Sequence, residues 1–181
     1  MNKEALFWQG GSLSWSELDR RASGFARHLA DQGIRAGDRV ALLIPNRWSF
    51  VVAFMAILKL GATPAPLNPD LKKEEHDEIL ADLRPKRVID DVKDGEGRWE
   101  TQRLTRSPGL ILYTSGSTGR PKGAVFSHRS LIFANRSWGG SILALSPDDV
   151  VLAALPLAHS FGLYVALMTP LLFGAKVALV E

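Results

Sequence analysis

Leu18, Ala22, Phe25, Ala26 and Leu29 recur at the three- and four-residue spacing of one helix face, behind a serine and a glutamate three residues apart, Ser14 and Glu17. A hydroxyl at the N-cap and a carboxylate at the third helical position form a capping box, so the spacing predicts a helix reaching about Gln32, with Gly33 ending it. Residues 39–44 follow as a short buried strand and Pro45-Asn46 as a turn. Residues 48–60 are apolar nearly all round, the pattern of a helix buried between layers. Residues 62–67 read as an extended segment punctuated by prolines, 73–83 as a charged amphipathic helix, and 87–90 as a short strand.

The polar stretch 91–108 predicts a surface loop. Beyond it the pattern predicts strands at 110–113 and 124–127 on either side of a glycine-rich loop. A helix over 129–145, a strand over 150–155, a helix over 161–173 and a last strand ending at Val180 complete the series. Alternating apolar strands and helices predict an α/β fold, with largely parallel sheet and helices on both faces. No internal repeat or low-complexity tract interrupts the pattern.

A chain of 181 residues can bury a core and most naturally makes one domain. It contains no cysteine, which excludes a disulfide framework, a thiol nucleophile and a cysteine-based zinc site. The first eight residues lack the apolar core and small-residue cleavage site of a secretory leader, so a cytoplasmic address is expected. Residues 161–180 hold only one charge, Lys176, over a length close to a membrane span. Pro170 and Gly174-Ala175 break that run, so helix, turn and strand are expected there with no transmembrane segment; peripheral membrane contact stays open.

Charge singles out one region. The net charge is only +3, yet no Asp or Glu occurs from Thr101 to Pro147, where Arg103, Arg106, Arg120, Lys122, Arg129 and Arg136 fall. Within it, Thr114, Ser115, Ser117 and Thr118 supply four hydroxyls, Gly116 and Gly119 two glycines, and Lys122 a cation, all inside nine residues. Such a loop can offer backbone N–H groups, hydroxyls and a mobile positive charge to one polyanion, and polyphosphate is the expected guest. A plain Ser/Gly hairpin tip is the other reading. The loop departs from the Walker A pattern, because Pro121 precedes the lysine and Gly123 follows it. Nucleic acid is not an expected partner, since no helix-turn-helix, zinc-ligand or RNP-type pattern accompanies the charge.

The string Leu112-Tyr113-Thr114-Ser115-Gly116-Ser117-Thr118-Gly119-Arg120-Pro121-Lys122-Gly123 resembles the AMP-binding signature of the adenylate-forming superfamily, which includes acyl-CoA synthetases, peptide synthetase adenylation domains and luciferases. The likeness runs on in register through Ala124-Val125-Phe126-Ser127-His128 and Leu131. A second stretch, Leu155-Pro156-Leu157-Ala158-His159-Ser160-Phe161-Gly162-Leu163, is similar to the family's next motif. Looser similarity from Ser14 to Pro69 extends the resemblance over essentially the whole chain.

The resemblance implies ATP and Mg2+ as cofactors, coenzyme A as co-substrate, and a small carboxylic acid converted to an acyl-adenylate and then a thioester. It implies that Ser115, Gly116, Ser117, Thr118, Gly119 and Lys122 hold the phosphates, that Thr114 lies near phosphate and metal, and that Lys122 and His159 are the catalytic candidates. His159 would sit where carboxylate meets α-phosphate; a helix-capping histidine is its other reading. His28 and His76 are expected at the surface, and His128 at the cap of the following helix or against the loop. Nucleophilic serine hydrolysis is not expected, since no G-x-S-x-G occurs. The expected organisation is a first α/β half, 1–107, and a half carrying the phosphate loop and acyl-pocket motif, 108–181.

Several features of complete family members have no match in this sequence: the aromatic-Gly-x-Thr-Glu stretch, the ribose-binding aspartate, the hinge and the mobile C-terminal lysine. The segment between Asp90 and Leu110 is also shorter than the family pattern. The expectation is therefore an N-terminal portion of an acid–CoA ligase, poorly active or inactive alone. Self-association through surfaces left open is a further expectation. An acyl-AMP ligase loading a carrier protein and a non-catalytic nucleotide-binding or assembly module are the rivals.

Overall fold

Ser14 caps the first helix reciprocally with Glu17: the Glu17 N–H donates to Ser14 Oγ at 3.3 Å and the Ser14 N–H to Glu17 Oε2 at 3.4 Å. This computed structural model describes residues 3–92, 99–101, 108–114 and 120–180. The capped helix, α1, spans Trp15–Asp31. Before it stands a hairpin of β1 (Glu4–Trp8) and β2 (Gly11–Ser14), joined by the two-residue loop Gln9-Gly10. Periodicity did not predict these strands, because so few residues carry no visible alternation.

The chain continues as β3 (Arg39–Leu42), α2 (Trp48–Lys59), β4 (Thr63–Pro66), α3 (Lys73–Leu83), β5 (Arg87–Ile89), β6 (Pro108–Thr114) and β7 (Lys122–Ser127). Then come α4 (His128–Arg136), β8 (Val150–Ala153), α5 (Thr169–Leu172) and β9 (Lys176–Leu179). The helix predicted over 129–145 divides into α4 and a π-helical segment, Ser137–Ile142, closed by the Leu143 N–H on Trp138 O at 2.8 Å. The helix predicted over 161–173 is likewise π-helical over Gly162–Met168 before it tightens into α5.

The strands form a four-stranded sheet in the order β2-β1-β9-β8, a three-stranded sheet β4-β3-β5, and the hairpin β6-β7. Parallel pairs dominate: β1 with β9, β8 with β9, and β3 with both β4 and β5. The exceptions are the two hairpins, which are antiparallel. Alternation places helices on both faces of the β4-β3-β5 layer. Val40 and Leu42 join Leu110 and Leu112 of β6 in the main core with α1 and α2. The intervening Ala41, together with Ala65 and Ile111, packs under Ile79 and Leu83 of α3.

β6 runs beside β4 without a ladder, and the sequence supplies the reason. The Thr63 and Leu67 N–H groups already donate back toward β3, so the donors facing β6 would be those of Pro64 and Pro66. Neither proline has one. The Thr63 hydroxyl makes the link instead, donating to Pro108 O at 2.7 Å. Farther along, a buried polar pair ties α4 to the start of α5: Thr169 Oγ1 donates to Asn135 Oδ1 at 2.7 Å. At the free edge of its sheet, β8 exposes Val150 and Leu152. Among the described residues no helix is long and apolar enough to cross a membrane.

Candidate functional site

β6 enters from the core and emerges at Thr114, and β7 starts at Lys122. The last residue pair of their antiparallel ladder is Thr114 opposite Lys122. Directly opposed residues share a face with Cβ atoms about 5 Å apart, so the hydroxyl and the ammonium stem leave the sheet side by side. Both residues are exposed. Among the described residues no carboxylate lies within ion-pair distance of Arg120, Lys122, Arg129 or Arg136. The local positive field is therefore not cancelled at contact range, which suits an anion.

A cleft of about 430 Å³ opens beside the hairpin. Three stretches of chain line it: Leu67, Asn68, Leu71 and Glu75 from β4 to α3, Tyr113, Thr114 and Pro121 from the hairpin, and Leu155, Pro156, Ala158, His159 and Phe161 from the segment after β8. Its lining is mostly apolar with a few convergent polar groups, the usual make-up of a small-molecule site. Glu75 is partly engaged: its Oε2 accepts the Lys72 N–H at 3.1 Å and so caps α3.

The loop after β8 is held from several directions. Leu157 is fully buried. Asn46, just past β3, grips the backbone on both sides of Pro156: its Nδ2 donates to Leu155 O at 2.9 Å and its Oδ1 accepts the Leu157 N–H at 2.7 Å. The His159 N–H donates to Pro156 O at 3.0 Å, and the Leu163 N–H donates to His159 O at 2.9 Å. His159 Nδ1 accepts the Phe161 N–H at 3.3 Å. The imidazole therefore caps the helix and lines the cleft at once, and in its neutral form the ring proton belongs on Nε2. On the other side Gly162 lies so close to Pro156 that a Cβ there would overlap the Pro156 carbonyl oxygen.

Tyr113 anchors the hairpin side, donating its hydroxyl to Asp82 Oδ2 at 2.6 Å. Burial first, and the Asp82 carboxylate second, hold its pKa well above the ordinary phenol range; Arg39 opposes this weakly. Burial alone pushes Tyr164 up to about 12; its enclosed hydroxyl has no hydrogen-bond partner among the described residues, and its ring meets Phe126 in a T-shaped contact. These are the chain's two tyrosines. A raised folded-state pKa contributes stability present below the unfolded value, about pH 10, and lost as pH rises through the folded one. In an alkaline absorbance titration, tyrosinate is thus expected to appear only as the protein unfolds. Two phenols ionising near pH 10 in an intact fold would contradict this account.

His128 does not cap α4. That role falls to Ser127, whose Oγ accepts the Ser130 N–H at 3.1 Å, because a short hydroxyl at the preceding position reaches the free N–H directly. His128 is the first helical residue; burial lowers its pKa, and its Nε2 has no hydrogen-bond partner among the described residues. His28 and His76 are half-buried, stacked on Phe25 and bonded to Asn68 O respectively.

Of the residues singled out from sequence, Thr114 and His159 line the same cleft; Lys122 does not line it but follows the lining residue Pro121 and pairs across the ladder with Thr114. Ser115, Gly116, Ser117, Thr118 and Gly119 lie outside the described residues. Sequence reasoning passed over Asn46, Glu75 and Asp82. Asn46 reads as a turn residue after proline, and nothing local marks a partner more than a hundred residues away.

The family described as AMP-binding enzyme matches residues 1–107 and 100–181 of this chain. A feruloyl-CoA synthase from Amycolatopsis sp is 34% identical over 94% of the chain, which spans 39% of that protein's length. The nonribosomal peptide synthetase ivoA of Emericella nidulans is 30% identical over 97% of the chain, and 12% of that protein is covered. Among solved structures, apo MatB from Rhodopseudomonas palustris superposes with a TM-score of 0.90 at 27% identity, covering 99% of this chain and 42% of that one. ATP-bound MatB gives a TM-score of 0.85 at 29% identity, with 99% and 42% covered.

Proposed function

We propose, from the premise that this chain belongs to the AMP-binding enzyme family, that it carries the phosphate-holding wall of an ATP-dependent, AMP-forming acid–CoA ligase. The observation that supports this best is the shared cleft: Thr114 and His159 both line it, and Lys122, which has no carboxylate partner among the described residues, stands across the ladder from Thr114 and next to the lining residue Pro121. In the reaction so assigned, a carboxylate oxygen attacks the α-phosphorus of ATP. The new P–O bond gives an acyl-adenylate, and pyrophosphate departs with the electrons of the bond that breaks. Transfer at phosphorus needs positioning and charge neutralisation more than covalent help from the protein.

Lys122 offsets charge on the departing pyrophosphate, with Ser115, Gly116, Ser117, Thr118 and Gly119 as its partners in holding phosphate. Thr114 offers a hard oxygen of the kind Mg2+ accepts. His159, fixed with Nδ1 as acceptor, presents an Nε2–H donor for the junction of carboxylate and phosphate. Coenzyme A as acceptor is supported by the feruloyl-CoA synthase relative; a carrier protein as acceptor is the competing outcome.

Calorimetric titration with Mg-ATP tests the binding half, and saturable binding is expected. Exchange of labelled pyrophosphate into ATP, in this chain joined to the remaining length of such a relative, tests the chemistry. Exchange that appears only when a carboxylic acid is added supports the ligase. A folded protein that binds ATP without acid-dependent exchange would instead be a nucleotide-binding module.

A further inference from the structure

We infer that Asn46 is a positioning residue for His159, acting through the loop between β8 and the π-helical segment; the chemistry it serves rests on the reading of the cleft given above. An asparagine that merely shapes a turn bonds its own neighbourhood. Asn46 instead spends both ends of its amide on Leu155 and Leu157, separated from it by 109 and 111 residues. The contact links the end of β3 to the loop after β8, strands that belong to different sheets.

The Leu157 side of this grip has no ready substitute. Leu157 is fully buried, so its N–H would lose its acceptor where water cannot easily replace it. From there the path to the imidazole is short. Pro156 O receives the His159 N–H, and the His159 ring is then set by the Phe161 N–H on Nδ1. Gly162 closes the other side of Pro156 at backbone contact distance. The loop is thus pinned between an amide and a backbone, and the position of the His159 ring follows from both.

The test is Asn46→Ala and Asn46→Asp in this chain, read by amide hydrogen exchange at Leu157 and by the ring-nitrogen signals of His159, which His159→Gln identifies. Asn46→Ala is expected to speed exchange at Leu157 by roughly tenfold. The two His159 nitrogen signals should move toward each other as the tautomer is released, while amides in α1 and α2 keep their protection. Asn46→Asp keeps the acceptor for Leu157 and loses the donor to Leu155, so Leu157 should stay protected while His159 shifts part of the way. His159 signals unchanged in the alanine variant would overturn the inference. If that variant does not fold, unchanged signals in the isosteric aspartate variant overturn it equally. Neither readout needs nucleotide, so failure of the ligase reading would show separately as absent ATP binding or acid-dependent exchange.

Discussion

Gly162→Ala is expected to lower stability by about 2 kcal/mol, within the usual range for overpacking, and to displace the loop that carries His159. Intrinsic helix preference points the other way, since alanine is favoured over glycine by about 1 kcal/mol inside a helix. Sterics decides the sign. The added Cβ would overlap the Pro156 carbonyl oxygen and stand 2.9 Å from its carbon and 3.0 Å from Leu155 O, all backbone atoms. Backbone can yield only if the loop moves, and moving it strains the Asn46 bonds and the buried Leu157. Gly140→Ala is the matched control, because its Cβ would meet only the Phe173 ring at 3.7 Å, an ordinary contact. Urea denaturation should shift its midpoint downward for the first variant and leave it nearly unchanged for the second. Equal stability of the two would mean the loop gives way freely and does not hold His159 in place.

Much of the fold was legible because local chemistry and tertiary packing agree. The Ser14–Glu17 box, the all-round apolar α2 and the charged α3 each fall within a residue or two of their predicted bounds. What periodicity missed has physical causes. The β1–β2 hairpin is short, with strands of five and four residues, too few for alternation to show. The π-helical segment Gly162–Met168 is apolar nearly throughout, and Ser137–Ile142 holds two glycines and two serines among its six residues; in neither can a pattern of polar and apolar positions tell one helical pitch from another. The site divides in the same way. Thr114, Lys122 and His159 sit in contiguous strings whose spacing is itself the signal. Asn46, Tyr113 with Asp82, and Glu75 work through partners distant in the chain or through a local cap, and only the folded arrangement joins them to the cleft.

Lys122→Ala is expected to weaken Mg-ATP binding by roughly ten- to a hundredfold, the worth of one charge-assisted hydrogen bond to phosphate. The fold should hardly notice. Lys122 is exposed at a strand end and, among the described residues, pairs with no carboxylate, so stability should change by less than about 0.5 kcal/mol. Arg129→Ala removes the same unit of charge from the exposed first turn of α4 and separates contact from general field. If Lys122 touches phosphate directly, its loss should exceed that of Arg129 severalfold and persist when salt is raised, since screening removes long-range attraction before contact. Equal, salt-sensitive losses in the two variants would reduce the lysine to one member of a diffuse basic surface. Unchanged affinity in Lys122→Ala would remove the phosphate assignment from the hairpin altogether, leaving a tip whose hydroxyls and glycines serve the turn alone.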